Sequence, residues 1–354
     1  MLFRCDHCGV EFHADPSKIP NPNVKFKCIK CKIGQLTFVP KEGDSEQDSE
    51  EREAAIRPGT KKDPKRAIPT NPNEARKMLT QIKELPSLPF VATKLMELTA
   101  LPTTTMKQME EVILKDSALV SKVLRYSNSG LYGRAGQITS MTDALVLLGF
   151  STIKTIVIAS SVKSMHAPNA RGYCAEGKTL WAHSVEAAVA ARLLAKLRNK
   201  ALVEEAFIVG LLHDIGKSII GIKLPDVVRN LVALRKGNEL TFDEIEIRIL
   251  GIGHSELGAI LCKKWNIPDI LEKAIFHHHS PNLNKKEPFL SHVAMISDAI
   301  SYYLSTPSVD QPEREAEILE LESSKFLELD RDSFRDIAIE TQETIDRDRK
   351  NLDL

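Results

Sequence analysis

The residues with the strongest claim to chemistry are cysteines, histidines and carboxylates at unusual positions. Four of the six cysteines cluster near the N-terminus, as Cys5-Asp6-His7-Cys8 and Cys28-Ile29-Lys30-Cys31. These two C-x-x-C turns, with positions 9–27 between them, each set two sulfurs on one tight turn, and together they complete the tetrahedral thiolate shell that zinc takes in structural sites. Residues 1–40 hold few large apolar groups, so metal binding supplies the folding free energy of a small β ribbon, with strands expected over Val10–Phe12 and Val24–Lys27. Two disulfides are the alternative, disfavoured where thiols stay reduced, and a redox role is weaker still. His7 and His13 lie close by, but four thiolates already close the shell. Phe12, Phe26 and Phe38 read as the ribbon's miniature core.

A second set of donors is spread along the rest of the chain. His213-Asp214 ends the apolar run 206–212 and precedes Ile215-Gly216-Lys217. An imidazole and a carboxylate at the end of a buried helix must find partners, because burying them unpaired is costly. A divalent ion satisfies both, as nitrogen and oxygen ligands. His183 opens an amphipathic helix over 183–197, His254 sits at a helix start in Gly253-His254-Ser255-Glu256, and His278-His279 end a helix over 268–279. Asp298 falls on the apolar face of its helix, eight residues after Leu290 and four after Ala294. Any one of these histidines alone reads as a hydrogen-bonded core or surface residue; the set in this order points to a metal. Such mixed ligation admits iron, manganese or zinc. Lys217, one helical turn past the pair, either contacts a phosphate oxygen or faces solvent.

The elements that must position these groups are helical. Beyond residue 74 the apolar residues recur at three and four, as in Val112, Ile113, Leu119, Val120, Val123 and Leu124, or Val185, Val189, Leu193 and Leu197, and no run alternates with period two for long. The expectation is a mainly all-α body over 74–305 in two lobes, 75–165 and 175–305, divided by Pro86, Pro89, Gly130, Gly133, Gly149 and Gly172. The apolar stretch Ala144–Val162 is interrupted by Gly149, Thr152 and Lys154, so two buried helices joined at Gly149-Phe150-Ser151 fit it better than a membrane span. Residues 41–73 carry an acidic run, then a basic one, and four prolines, the composition of a flexible tether. Residues 306–354 are charged, with two helical patterns that dock partly on the body and a cap at Asp330 or Asp332.

Composition removes several function classes. The 354 residues carry 48 basic and 48 acidic side chains, so whole-molecule electrostatic binding to nucleic acid is not expected. Lys25, Lys27, Lys30 and Lys32 leave a salt-dependent nucleic-acid contact by the ribbon open, behind a structural or protein-docking use. Met1-Leu2-Phe3-Arg4-Cys5 runs into polar residues without an apolar leader, so a cytoplasmic protein is expected. Cys174 and Cys262 read as ordinary free thiols, and Asn128-Ser129 as an inter-lobe polar contact or a ligand site.

The series His183, His213-Asp214 and Asp298 resembles the H…HD…D set of the HD metal-dependent phosphohydrolase superfamily, in which those four groups hold one ion. His254 and His278 look like the further histidines of its two-metal versions, including the HD-GYP cyclic-dinucleotide phosphodiesterases, and His279 beside them is a further candidate ligand. Those enzymes continue HHE…DGxGYP, whereas this chain reads His278-His279-Ser280-Pro281-Asn282, so cyclic di-GMP hydrolysis is not implied. The whole body is similar to the HDOD domain of bacterial signalling proteins. That similarity is carried by Leu85-Pro86-Ser87-Leu88-Pro89, Asp116-Ser117-Ala118-Leu119, Asn128-Ser129, Leu148-Gly149 and Trp265-Asn266-Ile267-Pro268. The segment 1–40 resembles the zinc ribbons at the N-termini of bacterial regulators. The resemblance implies a regulatory module that binds a signalling protein or a nucleotide and retains an HD-type metal site. The alternative is a metal-dependent phosphohydrolase acting on a nucleotide.

Overall fold

The computed structural model describes residues 71–349 except 82, 84, 100, 130–137, 164, 166–172, 174–177 and 236–239, together with four short strands within residues 2–39. The chain separates into two compact units, 1–67 and 68–354. In the first, β1 (Leu2–Cys5), β2 (Glu11–His13), β3 (Phe26–Lys27) and β4 (Gln35–Val39) form an antiparallel sheet in the order β2-β1-β4-β3. Phe3 stands opposite both Phe12 and Phe38. Of the two strands expected from sequence, the first is displaced by one residue and the second keeps only the last two of its four residues; β1 and β4 were not anticipated. Cys5 closes β1, while Cys8, Cys28 and Cys31, the other three members of the expected zinc shell, lie outside the described residues.

The second unit is helical throughout its described residues. Its first helix, α1 (Pro72–Leu79), begins inside the stretch read as tether. Asn71 accepts the Glu74 N–H, and Pro72 takes a first-turn position where no N–H is needed. α1 lies against helices of the second lobe. Next come α2 (Phe90–Thr99), α3 (Met106–Ile113), α4 (Ser117–Ser127) and α5 (Met141–Lys163), where α2, α3 and α4 all pack on α5. Thr105 with Gln108, and Asp116, cap α3 and α4. α5 is broken at Gly149, whose φ of 72° is left-handed, so the joint falls where the sequence placed it. By length and composition α5 is the one described helix able to cross a membrane, yet 61% of its apolar window is buried in the body. Asn128 accepts from the Ile138 N–H and donates to the Ile138 carbonyl, so the expected inter-lobe contact is instead a clasp within one lobe.

The second lobe contains α6 (Leu180–Arg198), α7 (Val203–Leu212), α8 (Ile215–Lys223), α9 (Pro225–Arg235), α10 (Phe242–Leu250), α11 (His254–Lys264), α12 (Asp269–Phe276) and α13 (Phe289–Leu304). α6, α7 and α13 pack on one another, and α11 bridges α8 and α12. α14 (Gln311–Glu320), α15 (Glu322–Phe326) and α16 (Arg331–Asp348) follow, with α16 laid on α6 through buried Phe334, Ile337 and Ile345. Of the two caps proposed for α16, Asp330 is used: it accepts the Ser333 N–H at 2.8 Å.

Candidate metal centre

α6 begins at Leu180, one turn before the expected start at His183, because Thr179 accepts the Ala182 N–H. His183 is thereby set inside the helix and buried. α12 stops at Phe276 rather than at His279, so His278 and His279 occupy the turn beyond it and reach back toward α11. His213 caps the end of α7, Asp214 opens α8, His254 is the first residue of α11 and Asp298 lies midway along α13. Five helices and one turn thus deliver seven donors.

These donors meet in two groups sharing one carboxylate. His183 Nε2 lies 3.0 Å from Asp298 Oδ1, 3.2 Å from Asp214 Oδ2 and 3.2 Å from His213 Nε2. His213 Nε2 is 3.4 Å from Asp214 Oδ2 and 3.5 Å from Asp298 Oδ1. The other oxygen, Asp214 Oδ1, lies 3.3 Å from His254 Nε2, which in turn is 2.9 Å from His279 Nε2. Candidate ligand atoms of His183, His213, Asp214 and Asp298 fall within 4.8 Å of one another, and so do those of His254, His278 and His279.

Hydrogen bonds behind the rings decide which nitrogen carries a lone pair. His213 Nδ1 donates to the Gly210 carbonyl at 2.8 Å and His278 Nδ1 to the Ile275 carbonyl at 2.6 Å. His254 Nδ1 donates to Glu246 at 2.7 Å. Ser301 gives its one proton to Glu186 Oε2 at 2.9 Å and therefore accepts from His183 Nδ1 at 2.9 Å; Lys178 neutralises Glu186 from the other side. All four rings turn Nε2 inward, the usual arrangement behind metal-ligating histidines.

Three buried acceptors, Asp214 Oδ1, Asp298 Oδ1 and His278 Nε2, have no hydrogen-bond partner among the described residues. Orphaned acceptors converging in an apolar interior are costly, and a cation relieves them together. The donor set fits one or two divalent ions, with iron, manganese and zinc all compatible.

Without an ion the cluster is electrostatically loaded. Burial opposes the imidazolium of His213, but Asp214 and Asp298 outweigh it and raise its pKa to about 10. His254 is raised too, Glu246 overcoming burial. His278 is pushed down to about 3 by burial and by repulsion from His213 and His254. Burial also disfavours the charged forms of Asp214 and Asp298, yet His213 with Lys217, and His183 with His213, hold them well below the usual carboxylate range.

Lys217 is buried, with Nζ 2.7 Å from Asp214 Oδ2 and near the Tyr173 and Phe242 rings. This excludes the solvent-facing alternative and places its charge on the shared carboxylate. The sequence did not single out Glu186, Ser301, Asp243 or Glu246; the one local signal was an acid between two isoleucines, Ile245-Glu246-Ile247. His292 is bonded to Ser323 and stacked on Phe326, and Cys262 is a buried free thiol. Cys174 and His166 lie outside the described residues.

The chain belongs to the HDOD domain family, which matches residues 85–281. A Shewanella amazonensis protein of known structure, described as a "putative phosphohydrolase", is 26% identical; the match covers 78% of this chain and 97% of that one, with a TM-score of 0.62. An HDOD domain protein of unknown function from Geobacter sulfurreducens shares the fold at 24% identity and a TM-score of 0.60, over 79% of this chain and 96% of its own. An uncharacterised protein of Treponema pallidum is 23% identical over 234 residues, which are 64% of this chain and 44% of that protein. This chain thus matches less than half the length of that curated relative.

Proposed function

We propose that this HDOD protein carries an HD-type divalent-metal centre and hydrolyses a phosphoester bond of a nucleotide ligand, within a bacterial signalling role. The observation that supports it is Asp214: its two oxygens face two different histidine groups, the disposition of a carboxylate shared between two ions. A purely structural ion is closed by four ligands and has no use for seven donors. His183, His213, Asp214 and Asp298 would hold the first ion, and His254, His278 and His279, with Asp214, would hold the second. Such ions, when bound, polarise a phosphoryl oxygen and lower the pKa of water. The chain's own contribution is to keep Nε2 lone pairs inward, to keep Asp214 ionised beside Lys217, and to exclude bulk water behind an apolar shell. The segment 1–40 serves in this reading as a zinc ribbon held by Cys5, Cys8, Cys28 and Cys31, a second docking element.

A regulatory, non-hydrolytic reading keeps one observation in its favour. His183, His213, Asp214, His254 and His278 are at most 1% exposed, and the accessible edge consists of Asp298 and the part-buried His279. A nucleotide phosphate approaching that edge is then bound as a signal without being cleaved. Full-length protein and a His213→Ala/Asp214→Ala variant, loaded with manganese, iron or zinc, distinguish the readings. Metal in excess of the variant's, with nucleotide turnover that the variant lacks, supports the enzyme. Excess metal with nucleotide binding and no turnover supports the regulator, and equal metal in both proteins removes the centre.

A further inference from the structure

α11 is preceded at its cap position by Gly253, a residue with no side chain to bind the free N–H groups of the first turn. Two carboxylates from one turn of α10 take that place. Asp243 Oδ1 accepts from the Ser255 N–H at 3.2 Å and its hydroxyl at 2.8 Å. Glu246 Oε2 accepts from the His254 N–H at 2.6 Å and from the same residue's Nδ1–H at 2.7 Å. A methyl group at position 253 would stand 2.2 Å from Asp243 Oδ1, so the carboxylate fits because residue 253 is glycine. One oxygen of Glu246 therefore fixes both the backbone and the ring of His254.

Without an ion the charge of Glu246 is met by the His254 ring it holds, whose pKa it raises; an ion on His254 Nε2 would take over that part. Glu246 is fully buried. Tyr173 is a neighbour, its pKa raised by burial and then by Glu246, but a neutral phenol does not balance a carboxylate. A buried carboxylate incurs a large desolvation penalty and persists only against a nearby positive charge. The two ion positions differ in what they offer. The first has two carboxylates, Asp214 and Asp298, in direct reach; the second has three imidazoles and only a share of Asp214. A dication among neutral rings in a low-dielectric interior lacks compensation unless an anion stands behind them.

We propose that Glu246 is the positioning residue of the second ion position, orienting His254 and supplying the buried negative charge that lets three imidazoles hold a dication. Asp243 and Glu246 could with His254 Nδ1 form a further ion site, since their donor atoms are also within 4.8 Å of one another. The two N–H groups aimed at Glu246 Oε2 already account for that cluster. The inference rests on the two-ion reading of the centre.

The test is a calorimetric manganese titration of the metal-free full-length protein, with Glu246→Gln, His254→Ala and the double variant beside it. Gln keeps an acceptor oxygen for His254 but removes the charge. The expected result is a second-ion affinity about 10- to 100-fold weaker in Glu246→Gln, the range for an outer partner of a metal-bound histidine, with the first ion unchanged. In the His254→Ala background the same change should add nothing. The electron paramagnetic resonance signal of two coupled manganese ions should fade to that of one. Two ions bound by Glu246→Gln with wild-type affinity, an equal weakening with and without His254, or loss of a third ion alone would overturn the assignment. A wild-type protein that takes up no ion beyond the ribbon's would instead remove the metal centre itself.

Discussion

Gly216→Ala tests whether the second ion position depends on the close approach of α8 and α11. Gly216 lies two residues after Asp214, and a Cβ there would stand 2.0 Å from the His254 carbonyl oxygen and 2.9 Å from its Cα. Ordinary contact begins at 3.4 Å, so His254 must retreat by well over an ångström. The obstacle is backbone, which no rotamer change relieves, and the start of α11 is pinned by Asp243 and Glu246. Metal–ligand distances tolerate only about ±0.2 Å, so His254 leaves coordination range. Overpacking of this kind costs about 1–3 kcal/mol, enough to lower Tm by several degrees without unfolding the body. Gly258→Ala is the internal control: its Cβ meets the Ile275 Cγ2 methyl at 3.2 Å, a side chain able to yield. Metal stoichiometry and thermal unfolding of both variants decide the matter. Gly216→Ala holding two ions at wild-type affinity, or Gly258→Ala failing equally, refutes the packing argument.

The pKa of metal-free His213 is near 10, so at pH 7 its ring carries a proton that a metal must displace. Below that pKa, apparent affinity should rise about tenfold per pH unit for each proton released. Titration between pH 6 and 9 in buffers of different ionisation enthalpy reads that proton release, and a flat pH profile contradicts it. Phe334, buried on α16 and set edge-on to Tyr303 with ring centroids 5.1 Å apart, anchors the C-terminal helices. Phe334→Ala should cost about 3–5 kcal/mol in denaturant unfolding; a loss below about 1 kcal/mol indicates that α16 is not part of the cooperative unit.

Much of the larger unit was legible before folding was considered. Apolar residues at three- and four-residue spacing disclosed its helices, and Gly149 disclosed the break in α5, because each depends only on local backbone rules. His213 and Asp214 were nameable because a polar pair closing an apolar run is anomalous, and His183, His254, His278, His279 and Asp298 joined them only as a set in order along the chain. Helix ends were less legible. α6 starts a turn early at a Thr179 cap and α12 ends before His278, since termini are chosen by a few side-chain-to-backbone bonds that periodicity does not register.

Which atoms of those donors face one another was settled only by tertiary packing. Asp214 sends one oxygen to His183 and His213 and the other to His254, a division that requires α6, α8 and α11 to cross at one place. The partners behind the rings were equally hidden: Ser301 lies far along the chain from His183, and Glu246 is an unremarkable acid on an amphipathic helix until the Gly253 turn brings it beneath His254. The sequence alone determined residue types and helical faces, which are properties of neighbours a few positions apart. Only the folded chain decided tautomer, charge and convergence, because these arise from groups that meet through space after burial has removed the water that would otherwise screen them.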